Sequence, residues 1–283
     1  MSKIIDLRNR PSFLHDFYGA TPGTKAYDGA RWLNRRTGSK NDEHFTRSHT
    51  LEGFVEEINE SGISAAVVVG RDTPALTISN DRIHEVVSGY KELIGVGSVD
   101  PQTHGVKSAV AEVERAVKEL GFVGINLEPG FGKPPLKADD SVFFPVYEAC
   151  VALKVPVFLM SGPTSPSLDF TDPVSVGKVA VAYPELNIIC YHGFYPYINE
   201  IIGVAFKHPN VFLVPDMYLF LPGGGLYVEA ANGFMRDQFL FATSYPFRAM
   251  KQTVDDFLAL GWRDEVLELL LYKNAERVLN LQT

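Results

Sequence analysis

The sequence predicts an α/β fold, a (β/α)8 barrel, on three observations. Eight short runs rich in β-branched and apolar residues recur along the chain, and segments of helical period separate them. Several runs, Ala65-Ala66-Val67-Val68-Val69 most plainly, lack polar alternation, as strands covered on both faces do. An open doubly wound sheet rarely repeats so evenly, and 283 residues is a common size for a barrel built as one unit. The chain is therefore read as a single domain over 1–283.

The eight runs are 4–8, 65–70, 93–99, 123–128, 155–161, 187–192, 211–217 and 239–244. Helices are predicted over 50–61, 105–120, 143–153, 173–183, 197–206 and 249–260, with one or two more over 264–281. The first of these places Leu51, Phe54, Val55 and Ile58 on one face and stops at Gly62. One segment breaks the rhythm: 11–49 is a long first βα connection carrying Phe13, Phe17, Tyr18, Tyr27 and Trp32. Loops of that length are usually functional or disordered, and these aromatics favour a cap packed over the barrel mouth.

Composition excludes several classes. Hydrophobic residues make up 46% and charged residues 21%, ordinary for a soluble globular chain. The net charge of −8 is spread without blocks, so no basic stripe offers itself to nucleic acid or an anionic membrane. No apolar run approaches the roughly 20 residues of a membrane span, and the N-terminus lacks an apolar signal region. Cys150 and Cys190 read as reduced core residues of a cytoplasmic protein. Gly223-Gly224-Gly225 lacks the spacing and the lysine of a phosphate loop, and Gly19-Ala20-Thr21-Pro22-Gly23 does not follow the dinucleotide pattern.

Barrel enzymes carry their chemistry at the C-terminal ends of the strands, so those ends form the candidate site. The first run ends in Asp6-Leu7-Arg8-Asn9-Arg10, where the two-residue period puts Asp6, Arg8 and Arg10 on one face. Later runs end in Arg71, Asp100, Glu128, Ser161, His192, Asp216 and Ser244. Two arginines facing a barrel interior need carboxylate partners such as Asp6, Glu128 or Asp216, or an anionic ligand. His192 suits proton transfer by its near-neutral titration, oriented by Asp216 or Glu128, though a lone histidine is often structural. Arg71 is a further anion contact or a solvated loop charge, and Ser161 and Ser244 are placed where they could line the pocket.

Taken in order, Ile5-Asp6, Val99-Asp100-Pro101, Gly121 to Leu127, Tyr191-His192-Gly193, Phe241 to Pro246 and Tyr272 to Leu279 resemble the amidohydrolase-related barrels. That family includes aminocarboxymuconate-semialdehyde decarboxylase, resorcylate decarboxylase and pyrone-dicarboxylate lactonase. The resemblance implies a His-x-His metal pair after strand one, a third histidine after strand five and an aspartate after strand eight. Here those positions hold Arg8, Arg10, Met160 and Ser244, and only His192 matches a family histidine. Guanidiniums stay protonated and have no lone pair for a cation, so no metal cofactor is expected, with a divalent ion such as zinc the alternative. The expected function is a metal-independent hydrolase or lyase (lactone or C–C hydrolysis, or decarboxylation) on a small carboxylated molecule. Arg8, Arg10 and Arg71 would bind it and His192, Asp216 and Glu128 would handle protons. The alternative is a non-catalytic barrel that binds an anionic metabolite or serves as a structural subunit. The resemblance also implies a homo-oligomer. A His192 paired with a carboxylate and facing an open cavity would favour catalysis.

Overall fold

The computed structural model describes residues 3–19 and 21–281. The expected bounds 1–283 and the glycine-rich stretch 19–23 therefore include positions (1, 2, 20, 282 and 283) that lie outside the described residues. Among the described residues there are nine strands: β1 (Ile5–Asn9), β2 (Ala65–Val69), β3 (Arg71–Thr73), β4 (Leu76–Ile78), β5 (Leu93–Ser98), β6 (Ile125–Leu127), β7 (Val157–Leu159), β8 (Ile188–Tyr191) and β9 (Val211–Val214). Seven form a parallel sheet in the order β1-β2-β5-β6-β7-β8-β9, and β3-β4 make a separate antiparallel hairpin.

The helices are α1 (Lys25–Arg36), α2 (Glu43–Arg47), α3 (Leu51–Glu60), α4 (Asn80–Val87), α5 (Pro101–His104), α6 (Val106–Lys118) and α7 (Phe144–Leu153). They continue with α8 (Pro173–Ala182), α9 (Ile198–Lys207), α10 (Gly225–Ala231), α11 (Met250–Leu258), α12 (Asp264–Glu268) and α13 (Asn274–Val278). All seven helical segments read from periodicity are present. The α3 boundary was visible in the sequence because Thr50 caps it, its hydroxyl accepting from the Gly53 amide.

The eighth run, 239–244, is the main correction, for it is not a regular strand. It occupies the closing position between β9 and β1 through single bridges, Leu213 to Phe239 and Asn9 to Tyr245. Leu240 N still donates to the Leu213 carbonyl of β9, but two other amides of the run go elsewhere. Phe241 N donates to the Leu270 carbonyl, and Thr243 N donates to the Asp6 carboxylate at 2.9 Å. The long 11–49 connection contains two helices, α1 and α2, with Thr24 capping α1.

Two apolar clusters hold the barrel. The larger packs helix faces, such as Phe54, Ile58 and Val113, on the sheet. The smaller takes Ile5, Leu7, Val67, Val69, Phe158, Ile189, Tyr191 and Phe212 from strands around the sheet, with helical members only from α13 and its end. That composition places it inside the barrel. Cys150 and Cys190 are buried, as expected of core residues, and burial pushes the Cys150 thiol up to about 12.

Asp6 does not pair with the arginines on its own strand, as the sequence allowed. Its carboxylate accepts from Thr243 N, from Thr243 Oγ1 and from the Arg8 amide, so it fastens the irregular segment to β1. Burial raises its pKa to about 6, against those hydrogen bonds. A raised carboxylate pKa means the folded state holds the proton longer than the unfolded chain does. Stability from this group is full below about pH 4 and falls as pH rises to about 6. Asn fits the same partners, with Oδ1 on the two amides and Nδ2 donating to Thr243 Oγ1. Asp6→Asn is expected to gain on wild type by up to about 3 kcal/mol between pH 4 and pH 7, measured by denaturant titration at both values. A difference that does not change with pH would refute the buried-charge account.

Candidate active site

Side chains from the C-terminal ends of several strands line a cavity of about 490 Å³. Arg8 and Arg10 come from the end of β1, Arg71 opens β3 directly after β2, and His192 follows β8; all four line the cavity. Glu128 follows β6 and Asp216 follows β9, but both side chains lie behind the wall, fully buried.

Arg10 and Arg71 converge on Glu128. Arg10 Nη2 lies 2.7 Å from Oε1 and Arg71 Nη2 lies 2.9 Å from Oε2. Arg10 also donates to the Val69 and Gly70 carbonyls, which ties it to the end of β2. Burial alone would lift the Glu128 pKa, but Arg71, Arg10 and Arg8 together outweigh it and hold the group at about 2. Glu128 is therefore an ionised anchor for two guanidiniums. It touches neither His192 nor the cavity, which corrects its assignment as a possible proton carrier or partner of His192.

Arg8 differs. It is 4% exposed and has no ion-pair partner among the described residues. Its guanidinium lies 5.1 Å from the Tyr191 ring centroid, its Nη2 contacts Met160 Sδ at 3.8 Å, and its Nε has no acceptor. Burial lowers its pKa to about 10, helped by the charge of Arg10. It remains a cation at neutral pH, and burying one without a partner costs several kcal/mol.

His192 Nδ1 sits 2.9 Å from Asp216 Oδ1 and 2.8 Å from Oδ2. A carboxylate accepts, so Nδ1 carries the hydrogen and the neutral ring keeps its Nε2 lone pair. Burial lowers the His192 pKa, opposed by Asp216 and assisted by Arg8 and Arg10. Both members of the pair have left-handed backbone, with φ of 59° at His192 and 45° at Asp216. Such conformations in non-glycine residues persist only where surrounding structure imposes them, and they cluster at functional sites.

Residues 41–281 match the family model described as amidohydrolase. The chain belongs to the amidohydrolase family. An uncharacterised TIM-barrel protein from Bordetella bronchiseptica is 35% identical with a TM-score of 0.89, over 98% of both chains. A 2-keto-4-carboxy-3-hexenedioate hydratase from Sphingobium is 34% identical over 115 residues, 38% of this chain and 33% of that protein. A dihydroxybenzoic acid decarboxylase from Polaromonas, with bound manganese and the inhibitor 2-nitroresorcinol, has a TM-score of 0.68 at 21% identity, over 99% and 98% of the two chains. The matches to curated relatives span between 21% and 35% of those proteins' lengths. The fold is thus the amidohydrolase (β/α)8 barrel. No helix of the described residues is long and apolar enough to cross a membrane.

Within this family frame, two expected site residues are displaced. Ser161 donates towards the Tyr191 carbonyl at 3.4 Å and Ser244 Oγ is buried without a partner; neither lines the cavity. Conversely, much of the cavity wall was not assigned from sequence. His15, Asp16, Phe17, Tyr18 and Leu33 reach it from the 11–49 segment. Phe131, Met217 and Phe247 complete the apolar lining. The aromatic run Phe17-Tyr18 was the signal for the cap, but nothing in its spacing showed that Tyr18 meets the arginines.

Proposed function

We propose that this amidohydrolase-family chain is a lyase, of decarboxylase or hydratase type, that acts on a small unsaturated or aromatic carboxylate without a divalent ion in the barrel mouth. The observation that carries the reading is Arg8: a buried guanidinium with no carboxylate partner among the described residues, opening into the same cavity as His192 of the His192–Asp216 pair. A ligand carboxylate supplies the missing charge, and the aromatic and apolar wall suits a flat carbon skeleton. His192 takes or returns the proton, with Asp216 steadying the imidazolium that forms. The arginines stabilise negative charge that builds up during C–C or C–O bond rearrangement.

A manganese-type centre is a poor fit for these residues. Among the described residues no three His, Cys, Asp or Glu side chains converge as a ligand set. Asp6 is engaged by Thr243, Glu128 by two arginines, and His192 Nδ1 by Asp216. The guanidiniums of Arg8 and Arg10 at the strand-one positions would repel a dication by several kcal/mol even at an effective dielectric near 20. The hydrolase reading of the family is less favoured, since both named activities among the relatives described above are lyases.

The test is a screen of aromatic and unsaturated carboxylates by thermal shift, followed by NMR detection of carboxyl loss or water addition with chelator-treated protein. Turnover that persists after chelation supports the reading. One metal ion per chain, lost together with activity, would overturn it. Arg8→Ala is expected to weaken binding of any ligand found by about 10- to 100-fold, as loss of a charge-assisted contact does. Titration calorimetry would show this, and unchanged affinity would remove Arg8 from the site.

A further inference from the structure

Tyr18 stands in an unusual position for a residue of a connecting segment. It is 1% exposed, lines the cavity, and its hydroxyl accepts from Arg10 Nη1 at 3.3 Å. That contact uses an oxygen lone pair. The hydroxyl hydrogen has no acceptor among the described residues. Its ring is held edge-on to Phe17, with centroids 5.1 Å apart, and tilted on Phe247 at 5.9 Å, so the hydroxyl is not free to swing out. The backbone beneath it is equally fixed. Tyr18 N donates to the His15 carbonyl, and Gly19 follows at φ 83°. A Cβ on Gly19 would come within 3.0 Å of both Ala30 and Phe45, so the turn is pressed against α1 and α2.

We propose that Tyr18 is a ligand-contacting hydrogen-bond donor of this site: with Arg10 behind it, its phenolic O–H receives an oxygen of the bound molecule on which negative charge gathers. This rests on the carboxylate-lyase reading above and assigns a second polar subsite to the same cavity. Arg8 would take the carboxylate, and Tyr18 an oxygen elsewhere on the skeleton. The charged groups around the phenol are Arg10, Arg71 and Arg8, with Glu128 opposing them. Burial acts to raise its pKa, but the three guanidiniums prevail and lower it. A more acidic phenol is a stronger donor to an anionic oxygen. No net proton transfer from Tyr18 is required. The hydrogen bond tightens as charge moves onto the oxygen and relaxes as His192 restores the proton to carbon.

Two probes separate the subsites: 4-nitrobenzoate, with the carboxylate alone, and 3-hydroxy-4-nitrobenzoate, which adds an acidic phenol. Wild type is expected to bind the hydroxy probe more tightly, with its nitrophenolate absorbance enhanced on binding. Tyr18→Phe keeps the ring packing and should lose about 10-fold or more for the hydroxy probe, while changing 4-nitrobenzoate by no more than about twofold. Retained 4-nitrobenzoate binding and an unchanged melting curve establish that the variant is folded. If both probes bind and Tyr18→Phe keeps the wild-type preference, the Tyr18 assignment falls and the carboxylate reading stands. If wild type binds neither probe, both fall together.

Discussion

Glu128→Gln is expected to lose about 3–5 kcal/mol of stability, the range seen when one partner of a buried ion pair is removed. Arg10 Nη2 and Asn126 Nδ2 donate to Oε1 of this carboxylate, and Arg71 Nη2 is ion-paired with Oε2 at 2.9 Å. Glutamine keeps the shape but turns one acceptor into an NH2 donor facing a donor, and two buried cations lose their counter-charge. The pKa shift gives an independent figure. Depression from 4.5 to about 2 corresponds to roughly 3 kcal/mol. Because the folded pKa is depressed, that stability is present above about pH 4.5 and is lost as pH falls towards 2. Guanidinium or urea midpoints at neutral pH would measure the loss, and the deficit of the variant should shrink in acid. Removing Arg71 as well should recover part of it, since the double variant has one fewer unpaired charge. A variant as stable as wild type would mean that the triad does not hold the arginines in place.

What could be read from the sequence follows the lengths and patterns involved. Strands such as 65–69 and 211–214 are continuous β-branched or apolar runs, and the C-terminal ends of β1, β6, β8 and β9 carry Arg8, Arg10, Glu128, His192 and Asp216 to one end of the barrel. The pairings among these residues were harder. Asp6, Glu128 and Asp216 were all chemically acceptable partners, and only the barrel's closure decides which meets which: Asp6 turns to Thr243, Glu128 to Arg10 and Arg71, and Asp216 to His192. The sequence leaves Arg71 open between an anion contact and a solvated loop charge because the β3-β4 hairpin has three residues a side, too short to show a period. Run 239–244 has the composition of a strand, yet Phe241 and Thr243 give their amides to Leu270 and Asp6, contacts with no sequence signature. Helix α1 escaped notice because its sequence KAYDGARWLNRR is largely polar and contains a glycine. Its job is to bring Leu33 and the turn bearing Tyr18 over the mouth, a tertiary role that periodicity does not encode.

His192→Ala should reduce kcat by about 10²- to 10⁴-fold, the usual worth of a positioned acid–base group, with a much smaller change in KM because Arg8 remains. Asp216→Asn tests the pair more finely. The carboxylate accepts from Nδ1 and so leaves Nε2 unprotonated towards the cavity. An amide at 216 can donate to Nδ1 instead, which moves the ring hydrogen to Nε2 and disables the base without removing it. The pH profile separates this from simple structural damage. In wild type, burial holds the His192 pKa below the ordinary histidine value against the pull of Asp216, so the acid limb of kcat/KM lies below about pH 6.5. A neutral base gains a proton as pH falls through that value, and activity is lost on that side. Asp216→Asn removes the group that raises the pKa, so its residual activity should extend to lower pH. Arg8→Lys keeps a cation and should leave the limb nearly in place. Arg8→Ala removes a charge that lowers it, and the limb should move up. A limb that stays put in both Asp216→Asn and Arg8→Ala would show that His192 does not carry the proton, even if each variant is slow.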